Sequence, residues 1–141
     1  MKVQSDDYFP KEVPAMPSFK LHKYVSKLLV ERNLDYRTGV IYSTNRRVWE
    51  HDEEFKKYLR KIRVMGIDME TATIFIAGFA NEINRGALLL VSDTPMIPEG
   101  IKTEERDRKV TLKYVDLHID IGIEAMTKIG AEGEKIKHFR Y

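Results

Sequence analysis

The chain is 141 residues long, 43% hydrophobic and 33% charged, which is the ordinary range of one soluble globular domain with a single buried core. Its 24 basic and 22 acidic residues leave a net charge of only +2, so it lacks the one-signed field that holds a nucleic-acid backbone or an anionic membrane. The absence of cysteine excludes disulfides, thiolate nucleophiles and cysteine zinc sites and fits a cytoplasmic location; no apolar run approaches the roughly 20 residues that span a bilayer, and Met1 to Asp7 has no signal-peptide apolar core.

Residues 1–18 read as an extended lead-in, because Pro10, Pro14 and Pro17 forbid both helix interior and central strand. Ser18 is placed to cap a helix whose Leu21, Tyr24, Val25, Leu28 and Leu29 share one face and which ends near Asn33. Tyr36 to Thr44 contains the strand-forming run Gly39-Val40-Ile41-Tyr42, closed by Ser43-Thr44-Asn45. Glu50 to Ile62, with the thin stripe Phe55, Leu59 and Ile62, predicts a surface helix on a sheet, and Arg63 to Ile67 a second short strand. Met69 to Ile83 repeats apolar residues at helical spacing and is stopped by Asn84-Arg85-Gly86.

Ala87-Leu88-Leu89-Leu90-Val91 is apolar without alternation, the pattern of a central strand covered on both faces of a parallel sheet. Pro95, Pro98 and Gly100 mark a loop; a long final helix follows Thr103, acidic in its first turn and ended by Gly130 and Gly133. The order of elements predicts an α/β layered helix-sheet-helix domain with a mostly parallel sheet, occupying residues 1–141 as one unit.

Ligands of open parallel sheets bind beyond the carboxyl ends of the strands. Three polar clusters fall there: Tyr42 to Arg47, Asp68-Met69-Glu70 and Ser92-Asp93-Thr94. By themselves they also admit a purely structural account, with Asp68 as a helix N-cap, Glu70 complementing the helix dipole and Ser92-Asp93 as turn formers. His22, His51, His118 and His138 show no metal-ligand spacing as a set, so no metal and no cofactor are expected.

Gly66-Ile67-Asp68-Met69-Glu70-Thr71-Ala72, followed about twenty residues on by Leu90-Val91-Ser92-Asp93, resembles the paired signature of the nucleoside phosphorylase and nucleosidase superfamily. Tyr42-Ser43-Thr44-Asn45-Arg46-Arg47-Val48-Trp49-Glu50-His51-Asp52 and Ser92 to Gly100 look like its AMP nucleosidase branch. The resemblance implies two walls of one nucleoside pocket and hydrolysis of AMP to adenine and ribose 5-phosphate. It assigns Asp93 as the acid that protonates the base, Ser92 as its orienting partner, Glu70 as acceptor for the ribose hydroxyls and Met69 as the contact on the sugar face. Asp68 is supporting and not catalytic. Arg46, Arg47 or Trp49 would meet the base or a phosphate, and Arg106 would approach the acid from the last helix. It also implies a homo-oligomer.

The likeness extends only to the C-terminal half of such proteins. The half that would hold the phosphate or the nucleophilic water has no counterpart in these residues, so the sequence is read as a fragment, as natural truncation, or as half of a site completed by another chain. Two further readings stay open: a purine nucleoside phosphorylase using phosphate as nucleophile, and a non-catalytic nucleotide-binding or assembly module.

Overall fold

The computed structural model describes residues 13–97, 100 and 103–131. Helix α1 spans Phe19–Glu31, strand β1 Ile41–Ser43, a short 3-10 turn Trp49–His51, helix α2 Glu53–Lys61, strand β2 Gly66–Asp68, helix α3 Thr71–Ala80 and helix α4 Glu104–Ala131. None of the described helices is long and apolar enough to cross a membrane.

β1 and β2 pair in parallel, with Ile41 opposite Gly66, Tyr42 opposite Ile67 and Ser43 opposite Asp68. A parallel pair needs a crossover, and α2 supplies it. Its start is fixed by Asp52, whose carboxylate accepts from the Phe55 N–H at 2.9 Å, while Glu53 and Glu54 sit in the first turn and Arg60 and Lys61 in the last. Two residues of the predicted stripe pack: Phe55 and Leu59 are buried, Leu59 completely at 0% exposure, whereas Ile62 follows the last residue of the helix and is exposed. Tyr42 of β1 meets Phe55 and Tyr58 edge-on, with ring centroids 5.6 and 6.1 Å apart.

A second packing centre joins α1 to α4. Leu28 and Leu29 bury against Ile121 and Ala125, with Tyr24, Val25, Leu34, Tyr36, Leu88 and Leu117 around them. At its edge Arg32 pairs with Glu124, which also accepts from Lys128 at 2.6 Å.

The structure departs from the sequence expectations at several points. Ser18 does not cap α1 with its side chain. Its N–H donates to the Arg85 carbonyl at 2.7 Å and its hydroxyl accepts from the Arg85 N–H at 3.1 Å, tying the start of α1 to the end of the α3 segment. Helix α3 stops at Ala80, because Glu82 turns to φ 54° before Asn84 is reached. Gly130 lies inside the last turn of α4, and Gly133 lies outside the described residues.

The largest departure is Ala87 to Val91, which forms no strand among the described residues, so the expected central strand is absent. Leu88 packs on the α1/α4 core, but Leu89, Leu90 and Val91 are 42%, 37% and 68% exposed. A strand needs a neighbouring ladder, and hydrophobicity alone does not provide one.

The element that sets the local geometry is Asp68. Its Oδ1 accepts from the Ser43 hydroxyl at 2.5 Å across the β1–β2 pair, and its Oδ2 accepts from the Thr71 N–H at 2.9 Å and from the Thr71 hydroxyl. Ser43 Oγ in turn accepts from the Ala72 N–H at 2.9 Å, so two orphan donors at the start of α3 are satisfied from the two strand ends. Asp68→Ala is expected to cost about 2 kcal/mol and Ser43→Ala about 1 kcal/mol in urea unfolding. Strict additivity in the double variant would contradict a shared network.

Glu124 is held below its ordinary 4.5 by the hydrogen bond from Lys128 first and that from Arg32 second. The folded state thus binds this proton more weakly than the unfolded chain, and the stabilisation is complete above about pH 4.5 and lost as pH falls through the depressed value. Glu124→Gln is expected to lose less of its urea midpoint than the parent chain between about pH 6 and pH 3. An equal loss in both would remove Glu124 from the acid response.

Candidate active site

Because β1 and β2 run in parallel, their carboxyl ends lie side by side, and the polar clusters that follow them emerge at one edge of the sheet. After β2 the chain delivers Met69 and Glu70 between the strand and α3. Asp68 is engaged in the link just described: its carboxylate accepts from the first N–H of α3, although Glu70 and not Asp68 holds the N-cap position. Glu70 is different. It is exposed, and its Oε2 accepts from the Met69 N–H at 3.1 Å while its other oxygen has no partner among the described residues. Met69 stands exposed beside it.

After β1 the structure separates the two arginines. The Arg46 N–H donates to Thr44 Oγ1 at 3.0 Å, its guanidinium donates to Asp52 Oδ2 at 3.2 Å, and its Cζ lies 4.6 Å above the Phe55 ring. Arg46 is therefore a fastener between the β1 loop and α2. Arg47 is exposed and makes no hydrogen bond or ion pair among the described residues. Val48 turns to φ 59°, and Trp49 then meets Phe55 edge-on with ring centroids 6.2 Å apart, half-buried. One arginine and one indole face remain in the neighbourhood of the strand end.

The third cluster is held by its own loop. Ser92 and Asp93 are half-buried, and the Ser92 hydroxyl donates to Asp93 Oδ1 at 2.5 Å, while Oδ2 has no partner among the described residues. Beyond them the Thr94 N–H donates to the Gly100 carbonyl at 2.9 Å, and a Cβ at position 100 would sit 2.0 Å from the Thr94 carbonyl oxygen. Only glycine allows that approach. Arg60, at the end of α2, donates to the Met96 carbonyl at 3.4 Å and braces the same loop. No hydrogen bond or ion pair joins the Ser92-Asp93 pair to Met69 and Glu70 among the described residues. Arg106 lies in the first turn of α4, and its side chain is outside the described residues.

Two clefts lie away from these residues. An open cleft of about 390 Å³ runs between α2 and the loop after Asp93, lined by Glu50, His51, Glu53, Lys56, Arg60, Pro95 and Met96. A second of about 290 Å³ lies between α1 and α4 beside Tyr24, Glu31 and Lys128. Neither is walled by Glu70 or Asp93. No group of three or more metal-ligating side chains occurs among the described residues.

Sequence reasoning missed the work of Ser43, Arg46 and Arg60. The polar residue ending an apolar run was a visible signal for Ser43, but the 25-residue separation from Asp68 hides the bond. Arg60 carries no signal at all, since a basic residue in the last turn of a helix is ordinary.

Comparison with known proteins follows the same outline. A sequence model of the phosphorylase superfamily matches residues 1–129. The crystal structure of AMP nucleosidase from Bacteroides thetaiotaomicron superposes with a TM-score of 0.74 and 40% identity, over 93% of this chain and 49% of that one. AMP nucleosidase of Escherichia coli K12 is 34% identical over 101 residues, 71% of this chain and 21% of its own length. A DeoD-type purine nucleoside phosphorylase of Clostridium beijerinckii is 30% identical over 112 residues, 79% of this chain and 45% of its own. The chain thus spans less than half the length of each of these relatives, on the side of the C-terminal half of the fold. With the strand ends, the Asp68-Met69-Glu70 turn and the Ser92-Asp93 pair in place, and a match over nearly its whole length, the chain belongs to the phosphorylase superfamily.

Proposed function

We propose that this chain supplies the sugar clamp and the base-protonating acid of a site that cleaves purine N-glycosidic bonds, and that the substrate is AMP, hydrolysed to adenine and ribose 5-phosphate. The observation that carries the reading is the division among the carboxylates at 68, 70 and 93. Asp68 is consumed by Ser43 and Thr71, whereas Glu70 and Asp93 each keep an oxygen without a partner among the described residues. Resemblance at 34% and 40% identity to two AMP nucleosidases supports the choice of substrate.

A purine is a poor leaving group as an anion, so the ring must gain a proton while the ribose develops oxocarbenium character. In this reading Asp93 gives that proton through Oδ2 while Ser92 steadies Oδ1. The electron pair of the breaking C–N bond passes to the base. Water adds hydroxide to the anomeric carbon, and its remaining proton restores the Asp93 carboxyl. Glu70 accepts from the ribose hydroxyls through its open oxygen, and its charge favours the positive charge growing beside it. Met69 packs its thioether on the sugar face. Arg47, unlike Arg46, is at liberty to meet the 5′-phosphate, with Trp49 covering the base and Arg106 approaching the acid. A homo-oligomer in the cytoplasm belongs to the same proposal.

The 30% identity to a purine nucleoside phosphorylase favours a second reading, in which phosphate replaces water. Chromatographic detection of free adenine from AMP, with and without phosphate, separates the two; adenine formed without phosphate is expected. The assay is run on the chain alone and on the chain supplemented with the N-terminal half of the Bacteroides thetaiotaomicron relative. Asp93→Asn and Glu70→Gln are each expected to lower the rate by about 10²-fold or more. Undiminished turnover in both variants would sink the assignment. Arg47→Ala is expected to raise KM for AMP about tenfold and to leave KM for adenosine within about twofold; an equal change for both would remove the phosphate contact.

A further inference from the structure

We propose that Val48 is a positioning residue, and that the turn Arg46 to Trp49 is a preset clamp for a ligand carrying both a phosphate and a purine ring. The inference rests on the reading above in which Arg47 and Trp49 meet the nucleotide, and adds what holds them in place.

Four non-glycine residues among those described turn to positive φ, and three of them have an ordinary reason. Asn33, Arg63 and Glu82 each stand two residues past the end of a helix, α1, α2 and α3 in turn. In each case the next N–H returns to a carbonyl five residues back, Leu34 to Leu29, Val64 to Leu59 and Ile83 to Gly78. That is the usual left-handed close of a helix. Val48 ends no helix. Its φ of 59° and ψ of 26° put a β-branched residue in the left-handed region, where its side chain crowds the backbone. That side chain is 64% exposed, so its own packing does not compel the conformation.

The neighbours compel it. Arg46 lies 4.6 Å over the face of Phe55 and donates to Asp52 at 3.2 Å, and Trp49 meets the same ring edge-on at 6.2 Å. The Val48 carbonyl accepts from the His51 N–H at 3.3 Å and closes the turn. Both ends of a four-residue segment are thus gripped by one buried ring of α2, and residue 48 takes the strained backbone that lets both grips hold. Arg47 lies inside this segment, exposed and without a hydrogen bond or ion pair among the described residues. A guanidinium and an indole two residues apart match the phosphate and the ring of a purine nucleotide, and fixing them before binding removes the cost of ordering them.

Trp49 is the only tryptophan of the chain, so its fluorescence reads the turn directly. Titration of the full chain with AMP is expected to quench it, while adenosine and ribose 5-phosphate, each lacking one of the two groups, bind at least about tenfold more weakly. Arg46→Ala removes one grip and is expected to raise the Kd for AMP about tenfold. Val48→Asn introduces a residue that tolerates the left-handed region; it is expected to raise the urea midpoint of the parent chain and, combined with Arg46→Ala, to bring the Kd back to within about threefold of the parent. That rescue distinguishes a held backbone from a lost contact. An unchanged Kd in Arg46→Ala, a failure of Val48→Asn to restore it, or a lowered midpoint in Val48→Asn each overturns the proposal. So does emission that AMP leaves unaltered; if such a chain still releases adenine, the reaction stands and the clamp falls. Quenching and rescue without adenine release leave the clamp standing and remove the reaction.

Discussion

The Asp68 carboxylate and the Ser43 hydroxyl form the contact on which the local structure depends. They sit opposite each other at the ends of two parallel strands, and between them they take the Thr71 hydroxyl and the backbone N–H groups of Thr71 and Ala72. One link therefore sets the register of β1 against β2 and the direction in which α3 leaves the sheet. Residues 69 and 70 are the only chain between the link and the helix, so their direction is set as well. A negative group at this point is also favoured by the positive end of the α3 dipole. A carboxylate is thus used for architecture at position 68, while the one at position 70, two residues on, keeps an oxygen without a partner among the described residues.

A comparable separation of duties holds after β1. Arg46 and Arg47 are chemically identical, and only the surroundings distinguish them. Asp52 first caps α2 through Oδ1 and then holds Arg46 through Oδ2, while Phe55 offers its face to the same guanidinium. The cap, the ion pair and the aromatic contact share two residues, so Arg46 is committed to the fold by the helix that makes the crossover. Exposed ion pairs contribute little individually, and the value of this one lies in fixing where the next residue, Arg47, emerges.

Leu88 belongs to one of the two packing centres, the α1/α4 core. On one side the α1/α4 core is closed by Arg32 and Glu124; on the other the β1–β2 pair is closed by Phe55 and Leu59. The segment between Gly86 and Asp93 has apolar side chains at successive positions and no ladder among the described residues. A protein of this family that spans its relatives' full length has about twice the chain to place around such a segment. The candidate acid at position 93 follows this segment directly.

The sequence by itself determined the helices, the two strand ends and the residue types that follow them, because 3.6-residue and two-residue periodicities are local signals. It also carried the signatures Gly66 to Ala72 and Leu90 to Asp93, on which the family membership is legible. The tertiary structure decided what each polar residue is for. Asp68 became a fastener because Ser43, 25 residues earlier, lies across a parallel ladder, and Arg46 was separated from Arg47 because Phe55 and Asp52 come to rest beside only one of them. The predicted central strand failed for the same reason in reverse. Composition states that a segment can be buried, but a ladder requires a neighbour in space, and for Ala87 to Val91 no described residue provides one.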